Sequence, residues 1–136
     1  MTTLYLPPYP FPIRVFTNKE QYKKYALKHG FFEKPVRDVK DIDENLAEVI
    51  DSDNNPELGK EILMHLPPKG ELSEFDFEET IDHEVIHVVF CILRWAGSKV
   101  GMKYTEHEHF AWHVNYLDRE IKTKVYGEKD YYKKED

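Results

Sequence analysis

The sequence predicts a small α+β domain, in which a short antiparallel sheet packs on one long helix and a second helix closes the chain. Three observations predict it. Phe77, Ile81, Val85, Val88, Ile92 and Trp95 recur at helical spacing, and at about 100° per residue they form one apolar stripe. Two short apolar runs, 46–50 and 61–66, flank Asp51-Ser52-Asp53-Asn54-Asn55-Pro56, a stretch dense in turn formers, which is the pattern of a hairpin. Phe110, Val114, Leu117 and Ile121 mark a second helical stripe further on.

Length and composition bound the rest. A chain of 136 residues is expected to be one domain with a single modest core, and nine Tyr and eight Phe supply the bulk to fill it. Net charge is −7, which disfavours nucleic acid as a general partner and suits a divalent cation. The single Cys91 excludes an internal disulfide framework and fits a reducing cytosol. No apolar run approaches the roughly 18 residues of a membrane span. The start, Met1-Thr2-Thr3-Leu4-Tyr5-Leu6-Pro7-Pro8, lacks the basic and apolar regions of a secretory signal, so a cytoplasmic protein is expected.

Taken in order, residues 1–12 hold four prolines, which forbid a helix or a central strand, and read as an extended Pro- and aromatic-rich arm. Residues 13–125 form the domain. Ile13-Arg14-Val15-Phe16 is a short strand. Thr17 or Asn18 caps a helix over 19–29, with Tyr22, Tyr25 and Ala26 inward and Gly30 as its stop. Residues 31–45, with Asp38, Asp41, Asp43 and Glu44, read as a solvated loop without the spacing of a calcium site. The hairpin follows, with His65 expected half-buried in its second strand. Residues 73–79 lead into the long helix, Asp76 and Glu79 have capping-box character, and Gly97 ends it. A last helix is expected over 106–122, then a charged tail over 126–136.

The long helix carries His83-Glu84-Val85-Ile86-His87. Histidines four apart on a helix share a face and can reach one metal ion, and the glutamate beside the first is placed to take a proton from water. Both histidines fall well off the apolar stripe, toward a second element. Hydrogen bonds to carboxylates are the structural alternative to a metal. A catalytic zinc needs a third protein ligand. Glu106, His107, Glu108, His109 and His113 crowd the start of the last helix, and helical phase leaves the choice among them open. Ala111, one turn after Glu108, would allow close helix approach and favours Glu108 as the inward carboxylate.

The run 83–117 resembles the core of small phage-encoded HExxH zinc metallopeptidases. These follow HExxH with an apolar helix remainder, a short Gly-containing link and an E-x-x-A-[YW]-x-x-[DN] motif, here Glu108-His109-Phe110-Ala111-Trp112-His113-Val114-Asn115. The Glu-x-x-Ala element is also similar to the third-ligand helix of ImmA/IrrE-type metallopeptidases and other gluzincins. The metzincin extension fails, since Leu93 stands where its third histidine belongs. The resemblance implies a zincin-like fold, Zn²⁺ held by His83, His87 and Glu108, and Glu84 as general base in peptide-bond hydrolysis. Tyr104, His107 and His113 are candidate oxyanion donors. Asp82 and Asn115 are candidates to orient the histidines. A peptide or protein substrate is implied, in the host cytoplasm for a phage accessory protein. The alternative is a non-catalytic zinc protein that binds a host or phage factor; intact Glu84 speaks against it, because a structural site needs no base.

Overall fold

The computed structural model describes residues 1–31, 46–55, 57–98 and 103–128, and the side chains of Asn54, Tyr104 and Thr105 lie outside that description. The expected acidic loop and most of the charged tail also fall outside it. The order of elements is β1 (Thr2–Leu4), β2 (Ile13–Phe16), α1 (Lys19–Lys28), β3 (Glu48–Asp51), a 3₁₀ turn (Ser52–Asn54), β4 (Ile62–His65), α2 (Glu74–Trp95), α3 (Tyr104–Glu120) and a π-helical turn (Ile121–Val125).

The strands form one four-stranded sheet in the order β1-β2-β4-β3. β3 and β4 make the expected antiparallel hairpin, with Glu48 opposite His65 and Asp51 opposite Ile62. The sheet as a whole is mixed, because β2 and β4 run parallel, Ile13 opposite Ile62. A parallel pair needs a crossover, and α1 lies in the connection between β2 and β4. The N-terminal arm is hydrogen-bonded into the sheet, a pairing that its sequence did not predict. Its first residues pair with β2 as an edge strand, Thr2 opposite Val15, and its prolines come only after that strand ends. Leu4 and Leu6 are buried in the main core, so the arm belongs to the domain's packing.

β4 is buried along its whole length, which explains its unbroken apolar run. Ile62 and Met64 face the main core with Ile81, Val85, Val88 and Ile92 of α2. Leu63 faces a second cluster with Phe16, Tyr22 and Ala26 against α1. Each fully buried aliphatic of the α2 stripe contributes about 1.5–3 kcal/mol of transfer free energy. The stripe read from the sequence is the buried one, except that Trp95 is only half-buried.

Local signals set the helix ends. Asn18 caps α1 by accepting from the Gln21 N–H at 3.0 Å. Ser73 caps α2, its Oγ accepting from the Asp76 N–H at 3.2 Å, so the helix begins about one turn before the position that Asp76 and Glu79 suggested. Gly97 adopts φ 74°, the left-handed turn that stops α2. The last helix starts at Tyr104 and ends in the π-helical turn.

Candidate metal centre

His83 and His87 sit on adjacent turns of α2, on an exposed arc of the helix. Their rings are 4.8 Å apart, close to perpendicular, and the two Nε2 atoms are 3.2 Å apart. Two imidazole ligands of a tetrahedral zinc, each at 2.0–2.1 Å, would hold their nitrogens about 3.3–3.4 Å apart. The pair therefore fits two corners of such a site. It also fits one ring donating an N–H to the other. Both histidines are exposed, contrary to the expectation that a second element would cover them. The reason is geometric: Asp82 falls on the side toward Asp118 of α3, Glu84 and Cys91 fall toward Glu48 and Asp51 of β3, and the histidine arc lies between the two.

That arc borders a groove of about 550 Å³ between β3 and α2. Glu48, Val49 and Asp51 form its sheet wall; Glu84, His87, Phe90, Cys91 and Arg94 form its helix wall. Of His83, Glu84 and His87, Glu84 alone is buried. Burial raises its pKa above the ordinary carboxylate value; the His83 and His87 charges oppose that rise and the Glu48 carboxylate adds to it. Glu48 is itself held by Tyr22, whose hydroxyl donates to Oε2 at 2.9 Å. Burial, and then Glu48, push the Tyr22 phenol upward, so it stays a donor.

At the other end of the groove, Arg94 pairs with Asp53 and lies 3.5 Å from Asp51. Trp95 Nε1 donates to Asp53 at 2.8 Å. These contacts tie the end of β3 to the end of α2. The Cys91 thiol donates to Asp51 at 3.7 Å, and burial, then the Asp51 charge, push its pKa up to about 12.

Among the described residues, no three His, Cys, Asp or Glu side chains are grouped as a metal site. Glu108 lies on the arc of α3 shared by Ala111, Trp112 and Asn115, and all four are exposed. The buried arc is that of His113, Leu117 and Ile121, so Ala111 marks the solvent side of α3, not a close helix contact. Glu106 is half-buried, and His107 and His109 are exposed. His113 is buried away from the groove: its Nδ1 donates to the His109 carbonyl at 2.7 Å, and its ring lies 5.7 Å from that of Tyr9. Asp82 turns toward α3, where burial and a hydrogen bond with Asp118 push it up to about 6.

The sequence pointed to His83, Glu84 and His87; Glu84 and His87 line the groove, and His83 stands beside His87. It did not point to Glu48, Asp51, Tyr22 or Arg94. Glu48 and Asp51 were legible only as the ends of a weak strand, and nothing in their spacing linked them to α2. Comparison of the chain with protein-family models, with curated proteins and with solved structures gave no match.

Proposed function

We propose that the chain is a zinc-dependent metallopeptidase of zincin-like build, with His83, His87 and Glu108 as the metal ligands and Glu84 as the general base. The observation that carries this reading is the pair of Nε2 atoms 3.2 Å apart, one turn from a buried glutamate that lines a groove. Bound zinc supplies a Lewis acid that polarises a carbonyl and makes water acidic. His83 and His87 would hold it through their facing Nε2 atoms. The Glu84 carboxylate takes a proton from the attacking water and returns it to the leaving amine nitrogen. Its burial helps, because a desolvated carboxylate gains more from taking up a proton. β3 offers an extended substrate a strand edge beside the histidines.

Glu108 is the ligand that the resemblance supplies, and its solvent-facing position means that metal binding has to recruit it. Glu106, on a half-buried arc of the same turn, is its competitor. Zinc analysis of untagged protein is expected to give about one ion per chain. Glu108→Ala should lower zinc affinity strongly and Glu106→Ala should leave it unchanged; the reverse result reassigns the ligand. Glu84→Gln should keep the metal and lower hydrolysis at least ~100-fold. A protein that takes up no zinc on supplementation sinks the proposal. The exposed setting of Glu108 favours one second reading, a zinc protein that binds a partner without catalysis. In that case Glu84→Gln retains both metal and function.

A further inference from the structure

The groove between β3 and α2 also carries information about what lies in it. β3 is the outer strand of the sheet among the described residues, and its four residues offer about 13 Å of backbone edge. Only an extended polypeptide can use the N–H and C=O groups of such an edge. On the helix wall, His87, Phe90 and Arg94 follow one another along the groove. From His87 to Arg94 the helix rises about 10 Å, the length of roughly three extended residues. A bound segment with its reacting carbonyl at the histidines therefore passes Phe90 and reaches Arg94.

Two features of that path select side chains. Phe90 is 47 % exposed, backed on one side by Phe110 at 4.6 Å between ring centres, so it presents an apolar ring to the groove. The charges are unequal. Of the eight residues that line the groove, Glu48, Asp51 and Glu84 carry carboxylates and Arg94 carries a guanidinium, which is already paired with Asp51 and Asp53. A net charge of −7 over the whole chain adds a long-range field of the same sign.

We propose that the groove accepts an extended polypeptide segment bearing lysine or arginine, with an apolar or aromatic side chain resting on Phe90. The proposal rests on the peptide reading of the site given above and names its substrate class. An acidic segment would set carboxylates against carboxylates, and a nucleic acid would set phosphates there.

Fluorescence anisotropy with labelled, capped hexapeptides tests it on the full chain, in EDTA and separately with zinc. One probe carries a phenylalanine and two lysines, a second has both lysines replaced by glutamate, and a third has the phenylalanine replaced by alanine. The lysine probe should bind about tenfold or more tightly than the glutamate probe, a difference of about 1.4 kcal/mol. That preference should shrink at about 1 M salt, where the screening length is ~3 Å. Phe90→Ala should weaken the phenylalanine probe several-fold and leave the alanine probe unchanged, while Phe90→Leu keeps most of the affinity. Equal binding of the lysine and glutamate probes overturns the proposal, as does no binding of any probe. So does Phe90→Ala protein of unchanged helical circular dichroism that binds the phenylalanine probe like wild type. The two readings fail separately. Protein that binds the lysine probe in EDTA and takes up no zinc keeps the groove and loses the metal. Protein that takes up zinc and ignores probe charge does the opposite.

Discussion

His65 makes the stability of this protein depend on mildly acidic pH. Its ring is buried and stacked on Tyr22, 5.2 Å between centres and 22° between planes. Among the described residues its Nδ1 has no hydrogen-bond partner. Burial, and then the Lys19 ammonium, lower its pKa from 6.5 to about 4. The folded value is depressed, so between about pH 6.5 and 4 the unfolded chain binds more protons than the folded one. The contribution is therefore complete above pH 6.5 and is lost as the pH falls. Linkage puts the loss from this one group at about 2 kcal/mol between pH 7 and 5, approaching about 3 kcal/mol below pH 4. At roughly 4 °C per kcal/mol, that is a fall in Tm of about 8 °C between pH 7 and 5. His65→Phe keeps an aromatic ring on Tyr22 and removes the titration. Thermal melts of both proteins from pH 4 to 7.5 give the comparison, since carboxylates elsewhere titrate equally in each. The wild-type Tm should fall more steeply, by about those 8 °C over the interval. Parallel profiles would refute a neutral buried His65.

Other expectations follow from the same packing. Leu6→Ala should cost about 2–4 kcal/mol in urea unfolding, because Leu6 is fully buried in the main core; a loss under ~0.5 kcal/mol would make the arm an accessory. Ser73→Ala should cost about 1 kcal/mol through the lost α2 cap, with Ser73→Asp close to wild type, and equal losses would put the effect elsewhere. The Cys91 thiol, buried and pushed up to about 12, should react with iodoacetamide at pH 8 at least ~100-fold more slowly in native than in denatured protein. Native labelling at the denatured rate would show that the groove wall opens.

The parts of the fold that were legible in the sequence are those decided by local periodicity. The α2 stripe from Phe77 to Ile92 is buried as its spacing required, and the hairpin between 46 and 66 forms around its turn residues. What depended on distant pairing was not legible. Parallel pairing of β2 with β4 leaves no trace in either strand's own sequence. Thr2–Leu4 carries no strand signal strong enough to outweigh the prolines after it, and only the free edge of β2 makes it a strand. The site divides the same way. His83, Glu84 and His87 follow from one helical turn, whereas Glu48 and Asp51 reach the groove only through the register of β3 on β4. On α3, the alanine after Glu108 suggested a contact face, but the bulk of Leu117 and Ile121, together with His113, decides which side turns inward.

The two ends of α3 are secured differently. Toward its C-terminus, Lys122 lies 2.5 Å from Glu78 and 2.9 Å from Asp118. The Tyr126 hydroxyl donates to the Pro67 carbonyl at 2.7 Å, and its ring meets Phe77 at 4.9 Å. At the other end, Lys103 is the N-cap and gives no side-chain hydrogen bond to the first turn, where His107, Glu108 and His109 are exposed. Amide exchange should therefore be graded along this helix, slow and close to global unfolding around 117–121 and fast around 106–109. The candidate third ligand stands in the fast-exchanging turn. Capture of an ion by Glu108 would then register as slowed exchange at that turn.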